Sequence, residues 1–310
     1  MRWKVSAGLA GIAAALAFST AAGADVTVED MTGREVKIEG DVEHIVALTA
    51  ADCEILYALG AGDMLVGRGE YCDYPAEVAE VVSVQSGSDT NIEQIIELNP
   101  EVVLMGTMAQ GKEQIIELEN AGIEVVVSDA QDIEGVYQAI WMIGTLTGKD
   151  AEAAALIDDM KHRFSELTVP AGRDPETVYF EVSPLEYGLW TAGKGSFMDE
   201  IAGMIGLENV FGDVNGWGEI SEEQVIERNP DHIVTITMYS GEGPTPEEEI
   251  LSRSGWENIT AVENGSILNL KNNELSRPGP RLTDGAKLLY DFVYGTGDEA
   301  AASSTEDAAA

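Results

Sequence analysis

The chain has 310 residues, of which 45% are hydrophobic, so it is long enough to form two ordinary domains with buried cores. It carries 17 basic and 56 acidic residues, a net charge of −39, and this charge argues against binding to nucleic acid or to anionic membrane surfaces. We interpret the acidity as that of a solvated surface.

The first 24 residues have the pattern of a secretory signal peptide. Arg2 and Lys4 precede an apolar run, and Ala22 and Ala24 occupy the small-residue positions of a cleavage site. An uncleaved membrane anchor is the alternative, although the run is short for a span. Cleavage leaves 15 basic against 56 acidic residues. The signal peptide predicts a periplasmic or otherwise extracytoplasmic protein. Because no cysteine lies near the cleavage site, we predict that this protein has no lipid anchor.

Residues 25–149 alternate strand-like and helix-like segments. A hairpin pattern, VTVEDMTGREVKIEG, comes first. The strand patterns HIVAL, MLVG, EVVLMG and IEVVV then alternate with the helix patterns DCEILYALGAG, NIEQIIELNP, GKEQIIELENAG and IEGVYQAIWMIGTLTG. This alternation predicts a lobe with a parallel sheet and helices on both faces.

Residues 150–169 interrupt the alternation. Leu156, Met160, Phe164 and Leu167 recur at helical spacing on one face, and the segment is free of glycine and has no proline before its end. We therefore predict one long amphipathic helix, about 30 Å in length at about 1.5 Å per residue.

Residues 170–296 repeat the first lobe. The segment EQVIERNPDHIV, which begins at Glu223, nearly copies EQIIELNPEVVL, which begins at Glu93. The fold class predicted is therefore α/β: two Rossmann-like lobes with parallel sheets, joined by the single long helix, with a ligand cleft between them. The tail, residues 297–310, is small, polar and acidic, and we expect it to be disordered.

Ligands of open α/β sheets bind beyond the C-terminal ends of the strands, and here the loops expected at those ends are rich in aromatic residues and methionine. Such a lining suits a large, flat or partly apolar ligand, although packing in a lobe core is the alternative for each residue. The candidate contacts of this kind are Tyr71, Met108, Tyr187, Trp190, Trp217, Met238 and Tyr239.

Basic residues are scarce in the chain, but six of them lie on the same predicted loops. In so acidic a protein this placement suggests a ligand with anionic groups, and ion pairing within the lobes is the alternative. The six are Arg68, Lys112, Lys194, Lys271, Arg277 and Arg281, of which the arginines are candidate ligand contacts.

Metal and catalytic sites are poorly supported. His44 and His232 begin predicted strands and His162 lies on the connecting helix, so a zinc receptor built on several histidines is not expected. Haem would need a tyrosine or methionine ligand.

Cys53 and Cys72 either form a disulfide in an oxidising compartment or remain two free thiols. The sequence lacks the nucleophile elbow, the phosphate-binding loop and the zinc-protease motif, so we predict a binding protein and no enzyme.

Taken together, the segments resemble the substrate-binding proteins of ABC importers, in the helical-backbone class (class III) that carries ferric siderophores, haem and cobalamin. The resemblance runs from about Val26 to Tyr294. It rests on HIVALTAADCEILYALGAGDMLVGRGEYCDYP, NIEQIIELNPEVVLM, LWTAGKGSFMDEIAGMIGLENVF, GWGEISEEQVIERNPDHIV, GWENITAVENGSI and RPGPRL, in that order. It implies a shallow cleft, limited closure on binding, and a monomer that delivers its ligand to a dimeric membrane permease.

The resemblance also implies residue roles. In this family a glutamate at the front of one helix in each lobe docks onto arginines of the permease. These positions fall on Glu93 and Glu223, and Glu222 is an adjacent candidate. The alternative interpretation is that these are ordinary solvated acids at the start of a helix.

Tyr71 and Trp217 match positions where the vitamin B12-binding member stacks aromatics on the corrin ring, but the first-lobe tryptophans of that member have no match here. The segment SRPGPR is more similar to iron-chelate members.

The sequence thus predicts an extracytoplasmic solute-binding protein that captures an iron complex of the ferric siderophore type and delivers it to an ABC importer permease. A cobalamin, another corrinoid or haem is the alternative ligand. Two alternatives belong to other classes of protein. The hypothesis of a metal-cluster oxidoreductase would need more cysteine ligands than the two present. The hypothesis of a sensor or adhesion protein would be supported by an effector domain in the same chain.

Overall fold

The structure, a computed structural model, describes residues 25–107, 111–236, 243–271 and 273–295. The predicted signal peptide and C-terminal tail lie outside these residues, and so do three predicted ligand contacts, Met108, Met238 and Tyr239. None of the helices in the described ranges is both long enough and apolar enough to cross a bilayer.

Within the described residues, the first lobe holds a five-stranded parallel sheet in the order β5-β4-β3-β6-β7. The strands are β3 (Ile45–Ala47), β4 (Leu65–Gly69), β5 (Ser83–Val84), β6 (Val102–Met105) and β7 (Glu124–Val127), preceded by the antiparallel hairpin β1 (Val26–Glu29) and β2 (Glu35–Ile38). The helices are α1 (Ala50–Ala58), α2 (Ile92–Leu98), α3 (Lys112–Asn120) and α4 (Ile133–Leu146). Strand β6 is buried throughout, as a central parallel strand covered on both faces should be.

The lobes are joined by α5 (Asp150–Glu166), which lies within the helix predicted for residues 150–169. The predicted apolar face is confirmed, because Met160 and Phe164 are buried and Leu156 and Leu167 pack, half-buried, against the same core. An ion pair between Arg163 and Asp284 ties this helix to the last helix of the second lobe.

The second lobe contains a six-stranded sheet among the described residues. The strands are β8 (Glu176–Ser183), β9 (Trp190–Ala192), β10 (Leu207–Asn209), β11 (Trp217–Glu219), β12 (His232–Thr235) and β13 (Ile267–Asn269). The helices are α6 (Phe197–Met204), α7 (Glu222–Arg228), α8 (Pro246–Leu251), α9 (Thr260–Glu263) and α10 (Leu282–Tyr294).

This second sheet has the predicted parallel core and is extended by two antiparallel strands that the sequence did not predict. Strands β10, β12 and β13 continue the parallel pattern around β8, but β9 runs antiparallel to β8, and β11 antiparallel to β9. The chain reverses after β8 because Gly188 adopts a φ of 87°, which side chains disfavour. Gly193 then permits a close approach to the backbone of Val214, where a Cβ would lie 2.2 Å from the carbonyl oxygen.

One apolar core passes through both lobes. It includes Ile143 of α4, Phe164 of α5, Phe197 of α6 and Leu289 of α10, all buried. Because the lobes share this packed interior, a large hinge motion would expose buried apolar surface. The continuous core supports the limited closure that the resemblance implied.

Candidate ligand-binding cleft and docking helices

A pocket of about 290 Å³ lies at the C-terminal edge of the first-lobe sheet. The turns that follow β3, β5, β6 and β7 all contribute to it, through Leu48, Ser86, Gly106 and Ser128. The second lobe closes the pocket with residues 276–278, which follow β13. The pocket therefore lies between the lobes, at the edge where open α/β sheets bind ligands.

The wall of the pocket is built mainly from small residues, among them Ala50, Ala51 and Gly87. Tyr71 provides an aromatic ring, and 64% of this residue is exposed. Of the predicted ligand contacts, Tyr71 and Arg277 line the pocket. A lining of this kind offers van der Waals area and one stacking ring, with few charges.

The arginines of the predicted SRPGPR site are held by a carboxylate of the other lobe. Glu54 of α1 accepts hydrogen bonds from Arg281 Nε (2.9 Å) and Nη2 (2.6 Å) and from Arg277 Nη1 (3.0 Å). Arg277 Nη1 also lies 2.5 Å from Asp73 Oδ1, and its Nη2 donates to the Tyr71 carbonyl oxygen at 3.0 Å. These contacts join the two lobes and fix the backbone of Tyr71 at the pocket.

The electrostatics of this cluster are close to balanced, since two guanidinium groups face two carboxylates. Burial opposes ionisation of Asp73, but the hydrogen bond and charge of Arg277, with smaller contributions from the Asp73 backbone N–H and Arg281, together lower the pKa of the carboxyl. Burial likewise disfavours the charged form of Arg277, and the hydrogen bonds with Asp73 and Glu54 nevertheless raise the pKa of Arg277. An anionic ligand group that bound Arg277 would share its guanidinium with Glu54, Asp73 and the Tyr71 carbonyl oxygen.

Trp217 lies at the junction of the lobes. Its indole Nε1 donates to Gln131 Oε1 of the first lobe at 2.8 Å, and its ring packs against Phe197 with the centroids 5.4 Å apart. The Gln131 carbonyl accepts from the Phe197 backbone N–H at 2.9 Å, and Glu200 accepts from the Ile133 N–H at the start of α4 at 2.9 Å. Trp217 thus helps to set the relative position of the lobes and remains half-buried.

The other second-lobe aromatics lie at the C-terminal end of β8. Tyr187 is exposed on the turn after this strand, and Trp190 pairs with Ser183 and is 42% exposed. Because the segment that follows β13 reaches the pocket, this edge of the sheet faces the same cleft. Tyr187 and Trp190 stand outside the pocket itself. Their role as ligand contacts stays a prediction.

The remaining predicted bases are dispersed. Arg68 lies in β4, donates from Nη1 to the Gly69 carbonyl oxygen at 3.3 Å, and buries an Nε that has no hydrogen-bond partner within the described residues. Lys112, Lys194 and Lys271 are exposed. The structure does not bring them together with Arg277.

The histidines and cysteines do not converge on a metal site. His232 is hydrogen-bonded to Glu176 and Ser266, and the structure shows no group of three or more metal-binding side chains in the ranges it describes. Cys53 and Cys72 are buried free thiols that both contact the Ala47 carbonyl oxygen, at 3.7 and 3.9 Å. Their mutual hydrogen bond, and then burial, raise the pKa of Cys53.

Asp52 is a buried carboxyl behind the pocket wall. Thr49 Oγ1 donates to its Oδ2 at 2.5 Å, whereas its Oδ1 has no hydrogen-bond partner in the described part of the chain. Burial raises the pKa of Asp52 to about 6, from an ordinary value of 3.8. The ionised carboxylate therefore destabilises the folded protein at neutral pH.

We expect Asp52→Asn to stabilise the protein at pH 7.5 by about 1–3 kcal/mol, because asparagine avoids burying a negative charge. The upper limit follows from the rise in the pKa of Asp52 from 3.8 to about 6, since one pKa unit corresponds to about 1.4 kcal/mol. A raised folded-state pKa makes stability fall as the pH rises from about 4 to about 6, and asparagine does not ionise. At pH 4 the variant and the wild type should agree to within about 0.5 kcal/mol. Urea unfolding of both proteins at the two pH values checks this, and an equal effect at both would contradict it.

The repeated helices α2 and α7 present the predicted docking glutamates to solvent. Asn91 caps α2 through the Gln94 N–H, and Ser221 caps α7 in the same way through the Gln224 N–H. Glu93 and Glu223 occupy the same position of the first turn in each lobe, and both are exposed. In the second lobe the Glu223 backbone N–H and the Ser221 hydroxyl lower the pKa of Glu223, so this carboxylate is ionised at neutral pH.

Glu222, the adjacent alternative, is used within its own lobe. Its Oε2 accepts a hydrogen bond from the indole Nε1 of buried Trp256 at 3.1 Å, and the residue is half-buried. The geometry therefore favours Glu223 as the counterpart of Glu93.

Two α/β lobes that share a core, a cleft at their facing sheet edges and matched outer helices define a two-lobed ligand-binding protein. The family described as periplasmic binding protein matches residues 45–274, and the chain belongs to this family. The family predicted from the sequence is thereby confirmed.

Relatives and solved structures agree with this assignment. The uncharacterized ABC transporter substrate-binding lipoprotein YvrC of Bacillus subtilis is 34% identical over 276 residues, which cover 87% of this chain and 85% of that protein. The cobalamin-binding protein of Halobacterium salinarum is 27% identical over 283 residues, covering 87% and 74%. A crystal structure from Staphylococcus epidermidis, titled as a possible iron-binding periplasmic solute-binding protein, is 32% identical with a TM-score of 0.69, covering 82% of this chain and 99% of that one.

The sequence-based prediction missed Glu54, Asp73 and Gln131, the first-lobe partners of Arg277 and Trp217. One signal was available for Glu54. It stands in the apolar helix pattern DCEILYALGAG at a position flanked by buried residues, where an acid needs a partner. For Asp73 and Gln131 the sequence offered no such signal.

Proposed function

We propose that the protein is a non-catalytic receptor that binds a corrinoid outside the cytoplasm and delivers it to an ABC importer. One observation carries the choice of ligand: Glu54 and Asp73 already pair with the arginines that would otherwise recognise an anionic chelate. What remains at the pocket is a wall of small residues and the exposed Tyr71 ring. The cobalamin-binding relative supports the same choice.

Long-range electrostatics support a neutral or cationic ligand. Once residues 1–24 are removed, 15 basic residues stand against 56 acidic ones. Such a surface repels anionic ferric chelates at low ionic strength, whereas a corrinoid, with neutral amides around a flat ring, experiences little repulsion.

The size of the pocket suggests how such a ligand would be held. A volume of about 290 Å³ accommodates only part of a corrinoid. We propose that one edge of the ring enters the pocket against Tyr71. The remainder then lies in the cleft, against the second-lobe aromatics Trp190, Tyr187 and Trp217.

Delivery to the importer would use the outer helices. Glu93 and Glu223 present two exposed carboxylates at equivalent positions of two similar lobes. A partner with two matched subunits and basic surface residues fits this arrangement. The importer role also agrees with the name of the Bacillus subtilis relative.

The arrangement of the mature chain is part of the proposal. We propose that residues 1–24 are removed on export, and that residues 25–149 and 170–296 form the lobes on either side of the connecting segment 150–169. The protein would act as a monomer. The Bacillus subtilis relative is called a lipoprotein, whereas this sequence has no cysteine near the predicted cleavage site, so we propose a form without that lipid anchor.

A ferric siderophore is the second candidate. Arg277 does line the pocket, and the Staphylococcus epidermidis structure carries an iron-binding title. An anionic chelate that displaced Asp73 would then meet one guanidinium.

The pocket assignment predicts that Tyr71→Ala weakens cobalamin binding by about 1–3 kcal/mol, through lost stacking area. Isothermal titration of the mature protein with cyanocobalamin measures the change. Tyr71→Phe should retain most of the affinity if the ring is what matters. Trp141→Ala removes a similarly exposed aromatic of α4, outside the pocket, and should leave the affinity unchanged. Equal losses in Tyr71→Ala and Trp141→Ala would count against this site.

A further inference from the structure

The outer faces of α2 and α7 repeat more than the glutamates. In α2 the exposed residues Glu93, Ile96 and Glu97 stand at spacings of three and four, so they share one face of the helix. In α7 the exposed residues are Glu223, Ile226 and Glu227, at the same spacings. Each lobe thus presents an isoleucine between two carboxylates.

The two isoleucines are exposed to nearly the same degree, 42% for Ile96 and 39% for Ile226. Single exposed apolar residues are common on protein surfaces, and one alone would need no explanation. Here, however, the neighbouring residues Ile95 and Val225 already supply the buried contact of each helix. Ile96 and Ile226 nevertheless leave about two fifths of their surface exposed, an apolar area that packing within each lobe does not use.

The local geometry keeps the two faces alike. Both helices end at an asparagine in the left-handed conformation, Asn99 with φ 49° and Asn229 with φ 46°. The basic residue of α7, Arg228, is directed to Asp213, with Nη–Oδ distances of 2.5 and 2.9 Å. Each face therefore keeps an acidic border around an apolar centre.

We propose that Ile96 and Ile226 are the apolar centres of the two docking faces, each packing on an apolar patch of one permease subunit that is bordered by basic residues. The inference rests on the proposed importer function and extends it from charge to surface chemistry. Charge complementarity requires basic groups on the partner for Glu93 and Glu97 and for Glu223 and Glu227. A buried isoleucine at each centre would add binding energy that salt does not screen.

The double variant Ile96→Ser/Ile226→Ser tests the inference. The probe is the purified ABC importer of the same organism, reconstituted in lipid nanodiscs. The affinity of the mature protein for this importer is measured at low and high salt. We expect binding to weaken by about 10- to 50-fold at both salt concentrations, because docking would bury the remaining two fifths of each isoleucine and the double variant loses both contributions. The cyanocobalamin affinity should stay unchanged, which shows that both lobes remain folded.

Two comparisons separate the possible outcomes. The control Ile116→Ser replaces an isoleucine of α3 that is 57% exposed and lies off these faces, and it should bind the importer normally. The charge variant Glu93→Gln/Glu223→Gln should also weaken binding, but mainly at low salt. A loss in both double variants with a normal control supports the inference.

Other outcomes would overturn it in distinguishable ways. If the glutamine variant loses affinity and the serine variant does not, the apolar centres are wrong while the proposed function stands. If neither double variant loses affinity, the docking role itself fails. A loss of equal size in Ile116→Ser would show that any exposed isoleucine matters, which contradicts a specific face.

Discussion

Changing Glu93 and Glu223 together to alanine is expected to abolish ligand uptake through the importer while leaving the affinity of the soluble protein for its ligand unchanged. Both carboxylates are exposed on outer helices, and neither residue lines the pocket. Charge-assisted hydrogen bonds to partner arginines are worth about 1.5–3 kcal/mol each, so losing two lowers the docking affinity by at least a hundredfold. Uptake of radiolabelled cobalamin into proteoliposomes that contain the importer measures the effect.

A matched control variant has the same net charge as the docking double variant. Glu117→Ala/Glu263→Ala removes one exposed carboxylate from each lobe, on α3 and α9 respectively, and should transport normally. Each single docking variant should retain partial uptake, because the opposite lobe still docks. If the docking pair instead lost ligand affinity, the two glutamates would belong to the cleft and the docking assignment would be wrong.

Glu54→Ala is expected to destabilise the protein by about 3–5 kcal/mol, the usual cost of removing one partner from a buried ion pair. The Glu54 side chain is 2% exposed and is shared by Arg277 and Arg281, whose side chains are 12% and 10% exposed. Its removal leaves two largely buried guanidinium groups without this carboxylate, at the contact between the lobes. The free energy of unfolding in urea is the measurement.

Two further variants show whether the charge itself matters. Glu54→Gln keeps the shape and one acceptor, and we expect an intermediate loss. Asp73→Ala removes the exposed partner of Arg277, for which a surface ion pair predicts a loss of about 0–1 kcal/mol. Losses below about 1 kcal/mol in Glu54→Ala would mean that water replaces the carboxylate, and the lobe contact would then not depend on this cluster.

Patterns that repeat along the chain made the fold predictable. The alternation of strands and helices, the apolar face of α5 and the twin segments at Glu93 and Glu223 are local signals with helical or strand periodicity. The short antiparallel strands β9 and β11 escaped prediction because three residues carry almost no periodicity. Their existence depends on chain reversals such as the one at Gly188.

The site was predictable only in part, because its electrostatics depend on pairs that are far apart in sequence. The loops expected at the cleft do contain Tyr71 and Arg277, and both line the pocket. Glu54, however, lies 227 residues from Arg281, and no local pattern reveals their contact. The same limit applies to Glu222, whose bond to Trp256 spans 34 residues and decides which acid of the pair faces solvent.

If a bulky, uncharged metal chelate binds at the lobe interface, a side-by-side titration of the mature protein will distinguish it from an anionic ferric chelate. Cyanocobalamin, a ferric hydroxamate, a ferric catecholate and haem would each be titrated while tryptophan fluorescence and heat are recorded. We predict saturable binding of cyanocobalamin at submicromolar concentration, with the anionic ferric catecholate much weaker. Tight binding of a ferric chelate with no response to cyanocobalamin would contradict the corrinoid proposal and make Arg277 the recognition residue.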